Sequence, residues 1–226
     1  MRIAILETGR PPRDLIEPYG RYDAMFRRLL GEGFAYETFP VHERVFPGDP
    51  DGWDGMLVTG SASGVYDERP WIAPLEDYLL GAAGKTRMVG VCFGHQVMAQ
   101  AFGGTVIKSP KGRGIGLHRY RLAGHPIGAL TTVAAPADHG DQVVELAPRT
   151  RVLGGNEFTP YGILEYPFQA ISVQFHPEFE PPFAKALLER ERAMVGDEKI
   201  EAAKASLDQP NDNDKLAAWM GDFLRG

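Results

Sequence analysis

The feature that most constrains this chain is the run Met88-Val89-Gly90-Val91-Cys92-Phe93-Gly94-His95-Gln96. It opens as a short apolar stretch, passes a cysteine bracketed by Gly90 and Gly94, and continues into helix-like spacing at Val97, Met98, Ala101 and Phe102. A buried strand that bends sharply into a helix fits that order. Gly-x-Cys-x-Gly is the cysteine form of the nucleophile elbow, where the reactive residue sits on a strained strand-to-helix turn and the glycines leave room for the backbone. A thiol at a helix N-terminus also meets the positive end of the helix dipole, which favours negative charge on sulfur. A free cysteine is by default a small buried hydrophobe. Cys92 therefore acquires a chemical role only if a base and an oxyanion site exist elsewhere in the chain.

A base is offered by Ile171-Ser172-Val173-Gln174-Phe175-His176-Pro177-Glu178-Phe179, which reads as a strand with His176 at its end. Pro177 fixes its own φ and pushes His176 away from helical geometry. In an extended tripeptide residues i and i+2 share a side, so Glu178 is expected beside His176, where a carboxylate can orient the imidazole and stabilise its protonated form. An oxyanion donor is offered by Met56-Leu57-Val58, a short strand that runs into the small-residue loop Thr59-Gly60-Ser61-Ala62-Ser63-Gly64. Such a loop lets backbone N–H groups approach a ligand, and Gly60 N–H is the candidate. Strand carboxyl ends are where open α/β sheets bind ligands.

Around these motifs the pattern is α/β. Strands are expected over residues 3–6, 34–41 and 56–58, a loop over 8–20, and helices over 22–30 and 71–80. From residue 105 to 174 short strands dominate, and they are expected to extend the same sheet. The Ala-, Glu-, Lys- and Leu-rich tail reads as two or three helices broken near Gly196 and residues 209–211. Ala217, Trp219, Met220, Phe223 and Leu224 give its last helix an apolar face for docking. The expected division is residues 1–180 as the main domain and 181–226 as a helical extension packed on it. A net charge of −6 and a pI near 5.5 disfavour broad binding to nucleic acid or an anionic membrane. One cysteine excludes an internal disulfide and a cysteine-rich metal site, and makes a reducing, cytoplasmic compartment the default. No signal peptide or membrane span is expected.

Taken together, residues 90–96 and 174–178 resemble the class I (triad) glutamine amidotransferase family. The resemblance extends to Leu57-Val58-Thr59-Gly60-Ser61 and to Asp138-His139-Gly140-Asp141-Gln142-Val143, a segment closest to the glutaminase domain of GMP synthase. It implies a flavodoxin-like, open, mixed and mostly parallel sheet with helices on both faces. It implies that Cys92 attacks the side-chain amide of glutamine, that His176 shuttles the proton and that Glu178 orients it. The oxyanion would lie between the N–H groups of Gly60 and Phe93. Gln96, Asp138, Gly140 and Asp141 match positions that hold the substrate's amino-acid end. No cofactor and no metal are implied, and the partner is a small-molecule substrate. The loop reads Gly60-Ser61-Ala62-Ser63 where the family often has Gly-Gly-Pro, and Asp138 stands where Ser or Asn is usual. No synthetase domain follows, so an ammonia acceptor is expected to be a separate subunit. A γ-glutamyl peptide hydrolase with the same triad is the alternative, and a non-catalytic regulatory or binding subunit the third reading. His95 and His139 are assigned to pocket structure, His139 in the turn before a strand; His42, His118 and His125 read as surface residues.

Overall fold

Residues 1–124 and 126–226 are described by the computed structural model. His125, read as a surface residue, lies outside them. The first part of the chain forms β1 (Arg2–Leu6), α1 (Arg13–Tyr19), α2 (Tyr22–Leu30), β2 (Ala35–Phe39), β3 (Gly55–Val58), α3 (Ile72–Ala82), β4 (Arg87–Val91) and α4 (Phe93–Ala101). Seven strands follow: β5 (Thr105–Lys108), β6 (Gly114–Leu122), β7 (Thr132–His139), β8 (Asp141–Glu145), β9 (Arg151–Gly155), β10 (Ile163–Tyr166) and β11 (Ala170–Val173). The tail is α5 (Pro181–Arg190), α6 (Arg192–Val195), α7 (Asp197–Ser206) and α8 (Asn213–Arg225).

Nine of these strands make one open sheet in the order β2-β1-β3-β4-β11-β10-β9-β6-β7. From β2 to β11 the neighbours are parallel; from β11 to β7 they are antiparallel. The alternation of side chains along a strand sorts β1 between two cores. Ala4 and Leu6 pack with Leu75 and Leu79 of α3 and with Val97 of α4. Ile3 and Ile5 pack with Phe26 and Leu30 of α2 and with Leu216, Met220 and Leu224 of α8. The expected mixed α/β sheet with helices on both faces is thus what forms, and the apolar face of the last helix is docked on it.

Three local expectations are corrected. Residues 8–20 are not all loop: Pro12 stands immediately before α1, where its fixed φ starts a helix rather than breaking one, and Gly20 at φ +88° ends it. The strand-rich part does not lie entirely on the main sheet. β5 pairs only with β8, in a separate two-stranded ribbon whose Val106 and Val143 pack with α4 residues Val97 and Met98. The tail breaks into four helical segments, because Glu191 interrupts the first helix ahead of the expected break at Gly196.

β7 is the last strand of the main sheet, and its outward backbone groups are engaged by other segments. Ala134 N–H donates to Asp212 Oδ2 at 2.9 Å, while Ala134 C=O accepts from Asp212 N–H at 2.8 Å. Two residues on, Pro136 C=O accepts from His176 N–H at 2.8 Å. Two further on, Asp138 C=O faces Cys92 Sγ at 3.9 Å. Alternate positions of an antiparallel strand are spaced about 6.8 Å apart. One strand edge therefore acts as the ruler that registers His176 and Cys92.

Candidate active site

Cys92 stands at φ +53° and ψ −101°, between the end of β4 and the first residue of α4. A non-glycine residue there is strained by about 1–3 kcal/mol. The surrounding packing holds it: Cys92 N–H donates to Val173 C=O at 2.9 Å, and Gly94 N–H donates to Thr59 C=O at 3.1 Å. The flanking glycines are sterically required. A Cβ on Gly90 would lie 2.5 Å from Met98 Sδ and 2.6 Å from Gly94 C=O, and one on Gly94 would strike the Val58 carbonyl. Only glycine at both positions lets α4 settle on β3 and β4.

His176 follows β11, and its Nδ1 meets Glu178 Oε1 at 2.7 Å. The sequence argument placed these two residues together through an extended tripeptide. The structure brings them together by a turn instead, closed by Phe179 N–H donating to His176 C=O at 3.2 Å. The Phe179 ring stacks on the imidazole with centroids 3.9 Å apart and planes 6° apart. With Nδ1 taken by Glu178, Nε2 is the nitrogen left for the thiol. Burial alone would lower the His176 pKa, but the nearby charges of Glu178 and Cys92 and the hydrogen bond to Glu178 outweigh it and hold the imidazole well above 6.5.

The loop after β3 is stitched to the segment after β1. Thr8 N–H donates to Thr59 Oγ1 at 3.0 Å, Thr8 Oγ1 donates to Gly60 C=O at 2.9 Å, and Ser61 Oγ donates to Thr8 C=O at 2.9 Å. A Cβ on Gly60 would lie 3.0 Å from His176 Cε1 and 3.7 Å from Cys92 Cβ, so the Gly60 backbone adjoins both. Neither Gly60 N–H nor Phe93 N–H hydrogen-bonds within the described residues. The Phe93 side chain is buried in the core against Trp71, leaving its backbone as the part near the thiol.

A cavity of about 590 Å³ opens over this centre, lined by Cys92, His176, Gln96, Asp138, Gly140 and Asp141 among others. Gln96 Nε2 is held by Asp141 C=O at 3.1 Å and Gln174 Oε1 at 3.2 Å. Asp141 Oδ1 accepts from Tyr66 Oη at 2.8 Å. The structure thus brings Cys92, His176 and the four residues matched to substrate binding to one cavity, with Glu178, Gly60 and Phe93 directly behind it. It also adds residues that the motifs do not flag: Tyr22, Arg113 and Glu191 line the same cavity.

The other described histidines sit in different surroundings. His95 is fully buried on α4 with Nδ1 at 2.8 Å from Ser172 Oγ, and burial pushes it down to about 3. His139 lines the cavity as the last residue of β7 rather than in a turn, contacts Asp141 C=O at 3.1 Å, and is likewise pushed by burial to about 3. His42 and His118 are half-buried rather than on the surface: His42 Nδ1 lies 2.8 Å from Glu7 C=O, and His118 packs edge-on against Phe158. Among the described residues no group of three or more His, Cys, Asp or Glu is placed to hold a metal ion, and no helix is long and apolar enough to cross a membrane.

This arrangement defines a class. The model of the family Glutamine amidotransferase class-I matches residues 23–193, and the chain belongs to that family. A glutamine amidotransferase-like protein of Schizosaccharomyces pombe is 29% identical, covering 98% of this chain and 98% of its own. Gamma-glutamyl peptidase 2 of Arabidopsis thaliana is 26% identical over 100% of this chain and 96% of its own. GMP synthases are also among the relatives; for that of Aromatoleum aromaticum the match spans 34% of the synthase. The glutamine amidotransferase structure from Thermotoga maritima superposes with a TM-score of 0.77 at 16% identity, over 100% of this chain and 99% of that one.

Proposed function

We propose that this chain hydrolyses γ-glutamyl amides through a thioester on Cys92, with glutamine as the simplest substrate. The observation that carries the reading is the grouping of Glu178, His176 and Cys92, in which a 2.7 Å contact orients the imidazole and the imidazole and the cysteine side chain both adjoin the Gly60 backbone. In the first step His176 holds the proton taken from the thiol, and Cys92 Sγ attacks the γ-carbonyl carbon as the thiolate. The developing oxyanion is placed at the free N–H groups of Gly60 and Phe93, the geometry in which one donor is worth about 10²–10³ in rate. The C–N bond then breaks, and His176 passes its proton to the departing nitrogen. Water attacks the thioester carbonyl with His176 again as base, releasing glutamate and restoring the thiol. Ammonia from glutamine would serve a separate synthase subunit.

A second reading is favoured by the size of the cavity. At about 590 Å³ it leaves room beyond a glutamyl group for an amine or peptide on the leaving side. A relative named as a γ-glutamyl peptidase that matches along the whole chain supports the same reading. The test is to measure ammonia release from glutamine and amine release from γ-glutamyl dipeptides. The Cys92→Ala chain is expected to lose all turnover and all covalent labelling by glutamine-analogue inhibitors. Turnover that survives in Cys92→Ala, or a native chain inert to every γ-glutamyl compound, overturns the proposal.

A further inference from the structure

Glu191 stands in the break between α5 and α6 and faces the cavity that contains Cys92. Its Oε1 accepts from Arg113 Nη2 at 2.5 Å, and the same Nη2 also pairs with Asp138. One guanidinium shared by two carboxylates leaves the group one negative charge in excess when both are ionised. The second oxygen of Glu191 is buried with no hydrogen-bond donor, so the arrangement is electrostatically incomplete. Burial, reinforced by Asp138 and opposed by Arg113, pushes the Glu191 carboxyl to about 7, which is the cost of holding that excess without a counter-charge.

A second observation points to a ligand. Tyr22 is 9% exposed, lines the same cavity, and its hydroxyl makes no hydrogen bond within the described residues. Its ring packs against Phe179 and Phe183, and Asp138 and Cys92 line the cavity with it. A tyrosine hydroxyl in a largely buried side chain normally has a partner. Here it is left for a donor group entering from the cavity.

We propose that Glu191, together with Asp138 and Tyr22, forms the subsite that takes the α-ammonium of a γ-glutamyl substrate, an inference that rests on the function proposed above. An ammonium offers three N–H donors, and the subsite offers two carboxylates and one hydroxyl oxygen to receive them. Position agrees with chemistry. Asp138 C=O lies 3.9 Å from Cys92 Sγ, and in a γ-glutamyl group the α-ammonium is three carbon–carbon bonds from the carbonyl under attack. The tail beyond residue 180 thus contributes to substrate choice as well as to packing.

The test compares γ-glutamylglycine with glutarylglycine, which differ only in the α-amino group, by calorimetric titration of the Cys92→Ala chain. γ-Glutamylglycine is expected to bind at least ten-fold more tightly. Adding Glu191→Gln should remove most of that preference while leaving glutarylglycine binding unchanged, and the near-isosteric Tyr22→Phe should weaken γ-glutamylglycine a few-fold. Equal binding of the two peptides, no binding of either, or equal weakening of both by Glu191→Gln overturns the subsite. Turnover by the native chain is read separately. Absent turnover with the α-amino preference intact counts against the reaction and not against the subsite.

Discussion

The two walls of the cavity are built by opposite means. On one wall, Cys92, His176 and Glu178 are each at most 6% exposed, and they are positioned by backbone: a strained elbow, a tight turn and a strand edge. On the other wall, Arg113, Asp138 and Glu191 have side chains 10–29% exposed and are positioned by each other's charges. The first arrangement is rigid and suits bond-making, where small displacements cost orders of magnitude. The second is held together by charge with one negative charge in excess, and suits recognition, because a partly buried group of that kind favours a ligand that brings a positive charge.

That contrast can be tested from its largest effect downward. Glu178→Gln keeps the shape of the first wall but removes the charge that orients His176. On the proposed mechanism kcat should fall about 10³–10⁴-fold with KM little changed, whereas Glu191→Gln should act on affinity. Steady-state kinetics of the two variants with one substrate decides it, and a fall below ten-fold in Glu178→Gln would remove the first wall from the chemistry.

A smaller effect tests the packing of both walls together, since one histidine, His139, stands in the second wall and another, His95, is buried behind the first. His95 and His139 sit at about 3, mainly through burial, against an ordinary 6.5. Below pH 6.5 the unfolded chain takes up protons that the folded chain refuses. The stability these residues confer is intact above pH 6.5 and declines as pH falls toward 3, by about 1.4 kcal/mol per unit per group. Glu191 at about 7 and His176 above 6.5 act in the opposite sense over the same range, so the pH 7 to pH 5 loss of unfolding free energy should be smaller by on the order of 2 kcal/mol in a His139→Gln chain than in the native chain, and an unchanged pH dependence in urea unfolding would contradict the burial argument.

The smallest effect concerns the scaffold of the first wall alone. Gly94→Ala drives a methyl into the Val58 carbonyl and lifts α4 from β3. The expected loss is about 1–3 kcal/mol of stability, measured by thermal or urea unfolding. The same substitution at Gly81 meets no atom within 4 Å and serves as the control.

The difference between the walls also explains what can be read from sequence. Cys92 lies in a contiguous strand-turn-helix pattern, and His176 and Glu178 are two residues apart, so local rules find them. Even there the two side chains meet through a turn and not the expected extended tripeptide, because a Pro-containing segment can bring i and i+2 together by turning as well as by extending. The second wall has no contiguous signature. Arg113 lies between Gly112 and Gly114, where it reads as an ordinary turn cation. Glu191 lies among Glu189, Arg190 and Arg192, where it reads as solvated charge. Tyr22 fits the 3.6-residue period of α2 and is indeed buried, yet periodicity says nothing of where its hydroxyl ends. The individual strands are legible for the same reason as Cys92, whereas which strand pairs with which, β5 with β8 included, depends on contacts distant in sequence, such as those 40 and 82 residues apart that join Thr105 to Glu145 and Ala170 to Met88.

The edge of β7 carries one more consequence. An open strand edge recruits other chains, and proteins generally blunt such edges. Here the blunting is done by the segments that bear Asp212, His176 and Cys92, so the guard against self-association and the reactive imidazole share one tether. On the proposed mechanism, loosening residues 174–179 by heat would silence the thiol and bare a sticky ladder in the same event. Inactivation and turbidity should therefore begin together, and any ligand that keeps that turn shut should postpone both.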